Sequence, residues 1–374
     1  MARAERFLTF RRLQMTEKNA KQMVFLFLFV TGFILMTSAL AVFLIDPFFH
    51  YHKPWFGLAA YQNEKEHQIP GVLDHLDYGS VLLGSSVVMS VDTGVLEARY
   101  ASGTVKAVAN TAPASVLAEY LRRAFKSHDL DYVFYGMDVF SFYSRPGKGT
   151  ASDVEKLEND NPFDDVWYLW NGQILAEKIP NMLRVSREEY TWGKAYSFNE
   201  GEPIGPDQVL ARYEPTGLVE VAQEPWENAS EMVMENLNAL EAIVEAHPET
   251  EFIFFLPPYP IVWWDQAYNR GLLESYEQTL RVCIEGLLKY ENAKVYATRF
   301  NEEALITDMY RYMDDIHGSA AVTDQLAWDI GDPAMEITAE NYEDQIAQLD
   351  EILWRFKARV DAEGVGFLYE VKTG

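Results

Sequence analysis

"SVLLGSSVV", residues 80–88, is the stretch on which the fold turns. Val81, Leu82 and Leu83 are apolar without alternation, so a strand here would be buried on both faces, as strands of a parallel sheet are. Gly84 breaks the run, and Ser85 and Ser86 follow it. Such an ending is ordinary in itself, because strands stop at glycine turns and serines cap the helices that come next. The same place is also the carboxyl rim of a parallel sheet, where ligands bind. The rest of the chain has to choose between a cap and a nucleophile.

Four further runs share the character of the first: "TVKAVA" (104–109), "DYVFYG" (131–136), "EFIFFLP" (251–257) and "AKVYA" (293–297). Helical patterns separate most of them. One covers 114–127. A second covers 229–246, with Val233, Leu237, Leu240 and Val244 on one stripe, Asn228 placed as its cap and Glu231 three residues on. A third covers 270–290, with Leu273, Tyr276, Leu280, Ile284 and Leu287 facing inward. Alternation of this kind predicts an α/β fold: a five-stranded parallel sheet covered on both sides, in three layers. Residues 144–226, rich in Trp, Tyr, Asn, Pro and acids, interrupt the alternation and read as an insertion on the rim. Its Trp167, Trp170 and Trp192 are either a platform for sugar rings or pins for irregular chain.

The chain has 374 residues and a formal net charge of −26. Residues 1–21 hold six basic and two acidic residues, a net +4, so the remainder carries −30. A body that acidic repels phosphate backbones and excludes a nucleic-acid role. Gln22 to Ile45 is 24 residues without a charge. As a helix rising about 1.5 Å per residue it reaches roughly 36 Å, enough to cross a hydrocarbon core of about 30 Å. A cleaved signal peptide is the competing reading, since Ala39 and Ala41 form an Ala-x-Ala pattern, but the apolar run continues past them to Ile45. An uncleaved, single-pass anchor leaves the basic tail, 1–21, cytoplasmic, with 22–45 as the span and 46–374 outside. The one cysteine, Cys283, permits no internal disulfide, and an exported domain without disulfides points to a bacterial cell envelope. His50 and His52 alternate beyond the span but lack a third ligand, so no metal site is expected.

The segments at the carboxyl rim of the predicted sheet are Gly84–Ser86, Asn110–Ser115, Gly136–Asp138, Pro257–Trp264 and, past the last strand, "YRYMDDIHGSAA" (310–321). The last holds Asp314, Asp315 and His317. A serine hydroxyl is a poor nucleophile until a histidine takes its proton, and the histidine needs a carboxylate to hold its tautomer. Ser86 at the first turn of a helix would add main-chain N–H groups and a dipole end suited to an oxyanion. Tyr259, Trp263 and Trp264 either wall the cleft or pack the core. His67, His75, His128 and His247 have no partner pattern and read as structural.

In these blocks the sequence resembles the SGNH/GDSL hydrolase family, in particular its membrane-anchored cell-surface branch, over roughly residues 46–360. The resemblance implies a flavodoxin-like domain. It makes Gly84-Ser85-Ser86 the Gly-Asp-Ser block, with Ser86 the nucleophile. Asp314-Asp315-Ile316-His317 matches Asp-x-x-His and implies His317 as base with Asp314 orienting it, Asp315 being the alternative partner. The Gly-x-Asn-Asp block falls at Gly136-Met137-Asp138-Val139, which puts Asp138 where the family has an oxyanion-binding asparagine. The second-block glycine is absent from "NTAPAS" (110–115), where Asn110 or a main-chain N–H near Ala114 would substitute.

Two functions are consistent with this. One is a cell-surface serine esterase or O-acyltransferase acting on acyl groups of a surface glycan or teichoic-acid-like polymer, needing no metal or organic cofactor. The other is a non-catalytic anchored module that binds a glycan or a membrane acyltransferase partner, a reading motivated by Asp138.

Overall fold

The computed structural model describes residues 17–147, 163, 165–188, 190–198 and 201–370. Most of the basic tail, 1–16, and part of the expected rim insertion, 148–162, lie outside the described residues. The chain opens with helix α1 (Glu17–Ile45), which is long and apolar enough to cross a membrane. Helix α2 (Lys65–His75) leads into β1 (Ser80–Gly84). The order then runs α3 (Thr93–Tyr100), β2 (Thr104–Val108), α4 (Ala114–Ser127) and β3 (Tyr132–Gly136). After the irregular region, which carries α5 (Val166–Leu169), come α6 (Trp226–Ala246), β4 (Glu251–Phe255), α7 (Ile261–Asn269), α8 (Leu273–Leu287) and β5 (Ala293–Tyr296). Helix α9 (Ala320–Asp329), β6 (Glu336–Ile337) and α10 (Tyr342–Glu363) complete it.

All five predicted runs form strands, but the sheet has six, in the order β2-β1-β3-β4-β5-β6. Four pairings are parallel, and β6 joins β5 antiparallel through Val295 opposite Ile337. Two residues are too few to leave a periodic signal, which is why a sixth strand was not expected. Alternate strand residues enter opposite clusters, as the two-residue period requires. Val81, Leu83, Val133, Tyr135, Phe252 and Phe254 pack with Leu117, Leu121, Val233, Leu237, Ile284 and Ile346 from the helices on one face. Leu82, Phe134, Ile253 and Phe255 pack with Leu96 of α3 and with Leu326 and Ala327 of α9 on the other.

Two helix readings change. Helix α6 starts at Trp226 behind Pro225, so Asn228 lies inside it and caps nothing, proline supplying the fixed φ of a helix entry in its place. The helix expected over 270–290 forms but is shorter, Leu273–Leu287: Gly271 at φ +71° separates it from the preceding α7. The three insertion tryptophans form no shared platform: Trp170 lies against α1 while Trp192 packs on the larger sheet cluster.

Candidate active site

Strand β1 delivers the chain to the rim and Gly84 turns it. Its φ is +154°, and a Cβ there would stand 2.5 Å from Val88 Cγ2. A Cβ on Gly136, at the end of neighbouring β3, would meet Val88 Cγ1 at the same distance. The two glycines therefore accept Val88 against the strand ends. They position the turn, and neither lines the cleft. The turn is one 3₁₀ segment, Ser86–Val88, capped by Ser85, whose hydroxyl accepts from the Val87 N–H at 3.3 Å. Three residues make no helix macrodipole, so the dipole support expected for an oxyanion at Ser86 is absent.

Ser86, half-buried, projects from this turn and meets a residue 231 positions away: its Oγ lies 2.8 Å from His317 Nε2. His317 Nδ1 lies 2.8 Å from Asp314 Oδ2. Asp314 Oδ1 also accepts the main-chain N–H groups of Ile316 (2.8 Å) and His317 (2.7 Å). Burial raises the Asp314 carboxyl, but the bonds from His317 and these N–H groups outweigh it and hold the group below its ordinary value. It is thus a carboxylate fixed to orient an imidazole. Phe198, from the irregular region, stands edge-on to the His317 ring at 5.0 Å. Asp315, the alternative partner, does not take this place: it is buried and turned away, its Oδ2 accepting from Gln266 Nε2 at 3.0 Å.

Beside Ser86 opens a cavity of about 180 Å³. Its walls are largely apolar, with Val87, Phe140, Ala267, Leu272 and Ile316 among them. Tyr259 and Tyr276 stack on either side of Trp263, with centroids 4.3 and 5.4 Å away. Of the two places open to Trp264, wall or core, it takes the core, because α7 turns each residue about 100° from the one before. The loop after β2 contributes Thr111, at φ +50°, and not Asn110 or Ala114. Asn110 is exposed, with its Oδ1 taking Lys65 Nζ at 2.9 Å, and Ala114 is fully buried at the start of α4.

Asp138 lines the cavity floor. Its Oδ1 accepts from the Phe140 N–H at 3.0 Å and from the Tyr259 hydroxyl. Burial raises its pKa, and the bonds from Tyr259, Ser85 and Phe140 and the nearby His317 only partly oppose this. A carboxyl so placed holds its proton to higher pH than an exposed one, and its protonated form donates a hydrogen bond as an asparagine side chain does. Arg270, Tyr276, Phe140 and Phe198 carried no sequence signal for the site. They belong to helices and loops that meet it only in the folded chain. His50 and His52 take protein partners, His50 Nε2 the Asp165 carboxylate at 3.0 Å and His52 Nε2 the Phe43 carbonyl at 2.7 Å. No group of three metal-ligating side chains occurs among the described residues.

No family model matches the chain. No curated protein matches it either. Among solved structures, a Streptococcus pneumonia protein described as a "putative platelet activating factor" is similar at 12% identity and a TM-score of 0.37. The match covers 73% of this chain and 92% of that one, and at that TM-score it carries no argument about fold or activity.

Proposed function

We propose that this protein is a membrane-anchored serine esterase or O-acyltransferase of the SGNH type. In this reading the domain from 46 to 374 is a three-layer, flavodoxin-like unit outside the cell membrane, held by α1 with its N-terminus in the cytoplasm. The single observation that carries the reading is the hydrogen-bonded series Ser86 Oγ, His317 Nε2, His317 Nδ1, Asp314 Oδ2, with links of 2.8 Å at both ends.

Ser86 Oγ attacks the acyl carbonyl carbon as His317 Nε2 takes its proton, and Asp314 stabilises the imidazolium. Collapse breaks the ester C–O bond. The proton passes from His317 to the departing alcohol and leaves acyl-Ser86. Water or a sugar hydroxyl then repeats the attack, giving hydrolysis or transfer and restoring Ser86. The apolar cavity beside Ser86 suits the acyl chain. Arg270 lines it too, its Nη2 donating to Gln266 Oε1 at 3.3 Å, and its guanidinium suits an anionic group on the substrate. Asp138, in its protonated form, is the donor this reading assigns to the oxyanion. The acyl groups acted on are those of a surface glycan or teichoic-acid-like polymer, with a membrane acyltransferase as a further partner.

The test is exposure of the detergent-solubilised full chain to an activated, serine-reactive phosphonate. Labelling is expected on Ser86, absent in Ser86→Ala and slowed about 100- to 10,000-fold in His317→Ala, the usual contribution of a positioned base. A wild-type chain that resists the reagent while retaining glycan on a column overturns the enzyme in favour of the binding module.

A further inference from the structure

Helix α1 does not hang free of the domain it precedes. The Trp170 indole N–H donates to the Leu35 carbonyl at 2.8 Å, ten residues before the helix ends. Further on, Val42 is fully buried in a cluster with Phe48, Tyr168, Ile174 and Ile179. The Phe43 ring lies 5.1 Å from Tyr51 and 6.0 Å from Trp55. Domain residues thus sit along α1 from Leu35 outward.

Length then decides where a bilayer falls. The uncharged run starts at Gln22, just after Lys21. Residues 22 to 35 span only about 21 Å at about 1.5 Å per residue. A hydrocarbon core is about 30 Å thick, and a perpendicular helix needs about 20 residues to cross it, reaching as far as Ala41. A bilayer spanned by α1 therefore ends above Leu35, among the domain's own side chains. The residues found there are suited to it. Phe56 is 78% exposed, Val166 55%, Trp170 40% and Trp55 39%. Tryptophan concentrates at the membrane–water boundary, and the bonded Trp170 N–H is satisfied at a depth where an unpaired one would be costly.

We propose that Trp55, Phe56, Val166 and Trp170 form a collar around the outer end of α1 that is sunk in the lipid headgroup–acyl boundary. The partner is the lipid surface itself, and the domain is seated on it in a fixed attitude. The collar rests on the reading of α1 as a retained membrane span, and does not depend on the chemistry at Ser86.

Single cysteines introduced at Phe56, Val166 and the exposed Glu340, beside β6 at the far edge of the sheet, are labelled with nitrobenzoxadiazole in the full chain. Cys283, which is buried, stays unmodified. The labelled chains are reconstituted into phosphatidylcholine vesicles with or without bromine on the upper acyl carbons. An interfacial apolar face sits about 5–10 Å into the boundary, so emission at 56 and 166 is expected to fall by about half with brominated lipid and at 340 not at all. Chains that float with the vesicles while 56 and 166 go unquenched overturn the collar and leave the anchor standing, whether water or a protein partner covers the patch. Chains that do not float overturn both.

Discussion

Asp138 shows how far a single side chain departs from its letter in the sequence. Read from its block, it is a carboxylate where an oxyanion donor belongs, and a negative charge there would oppose acyl chemistry. Buried with Tyr259, Ser85 and Phe140 around it, the carboxyl keeps its proton to higher pH than it would in the unfolded chain. Between the ordinary aspartate value of 3.8 and the raised one, the folded state therefore binds more protons than the unfolded state. This group's contribution to stability falls as pH rises through that window and stays lost above it. Asp138→Asn keeps acceptors for Tyr259 and Phe140 and removes the titration. Urea midpoints are expected to be higher for the variant at neutral pH and to converge with wild type in acid. A constant difference at all pH values would show that Asp138 does not titrate in this way. Asp315, by contrast, has the same letter and the same block, yet it faces Gln266 and takes no part in the His317 relay.

At the level of elements, the helices behind the cavity are joined by a charge pair sealed in the core. Lys357 of α10 reaches Asp265 of α7 at 2.7 Å, with both side chains at most 2% exposed. Tyr213 and Asn269 donate to the other carboxylate oxygen, at 2.8 and 2.9 Å. Removing one partner strands a buried charge, so Lys357→Met is expected to cost about 3–5 kcal/mol, and adding Asp265→Leu to recover part of it. Denaturant unfolding of Lys357→Met, Asp265→Leu and the double variant measures this. Strictly additive losses would mean that the pair is not coupled. Lys106 makes a comparable link on β2. Its Nζ donates to the Met89 carbonyl at 2.9 Å and the Ala195 carbonyl at 2.8 Å, tying the chain behind the Ser86 turn to the irregular region. Burial lowers its pKa to about 7. The unfolded chain holds this proton up to about 10.5, so Lys106 favours folding increasingly as pH rises between the two values. A lysine in mid-strand gives no hint in sequence of such burial, because its partners lie 17 and 89 residues away.

For the molecule as a whole, net charge is the governing term. A net charge of −26 repels itself in the compact state, and salt screens that repulsion. The melting temperature of the reconstituted chain is expected to rise between low and physiological ionic strength, and a fall would mean that specific ion pairs dominate. Much of the architecture was legible beforehand: the uncharged helix, the five strand runs and the rim positions of Gly84 to Ser86 and of Asp314 to His317. Those features are local, written in runs of apolar residues and in the residues that end them, and neighbours along the chain suffice to specify them. Other features required the fold: the 2.8 Å approach of His317 to Ser86, the raised pKa of Asp138, Thr111 in the wall where Asn110 was expected, β6 at the sheet edge, and Trp170 bonded to the long apolar helix α1. Each depends on groups that meet only when distant segments pack, and on the low dielectric created by that packing, neither of which is a property of any short stretch of sequence.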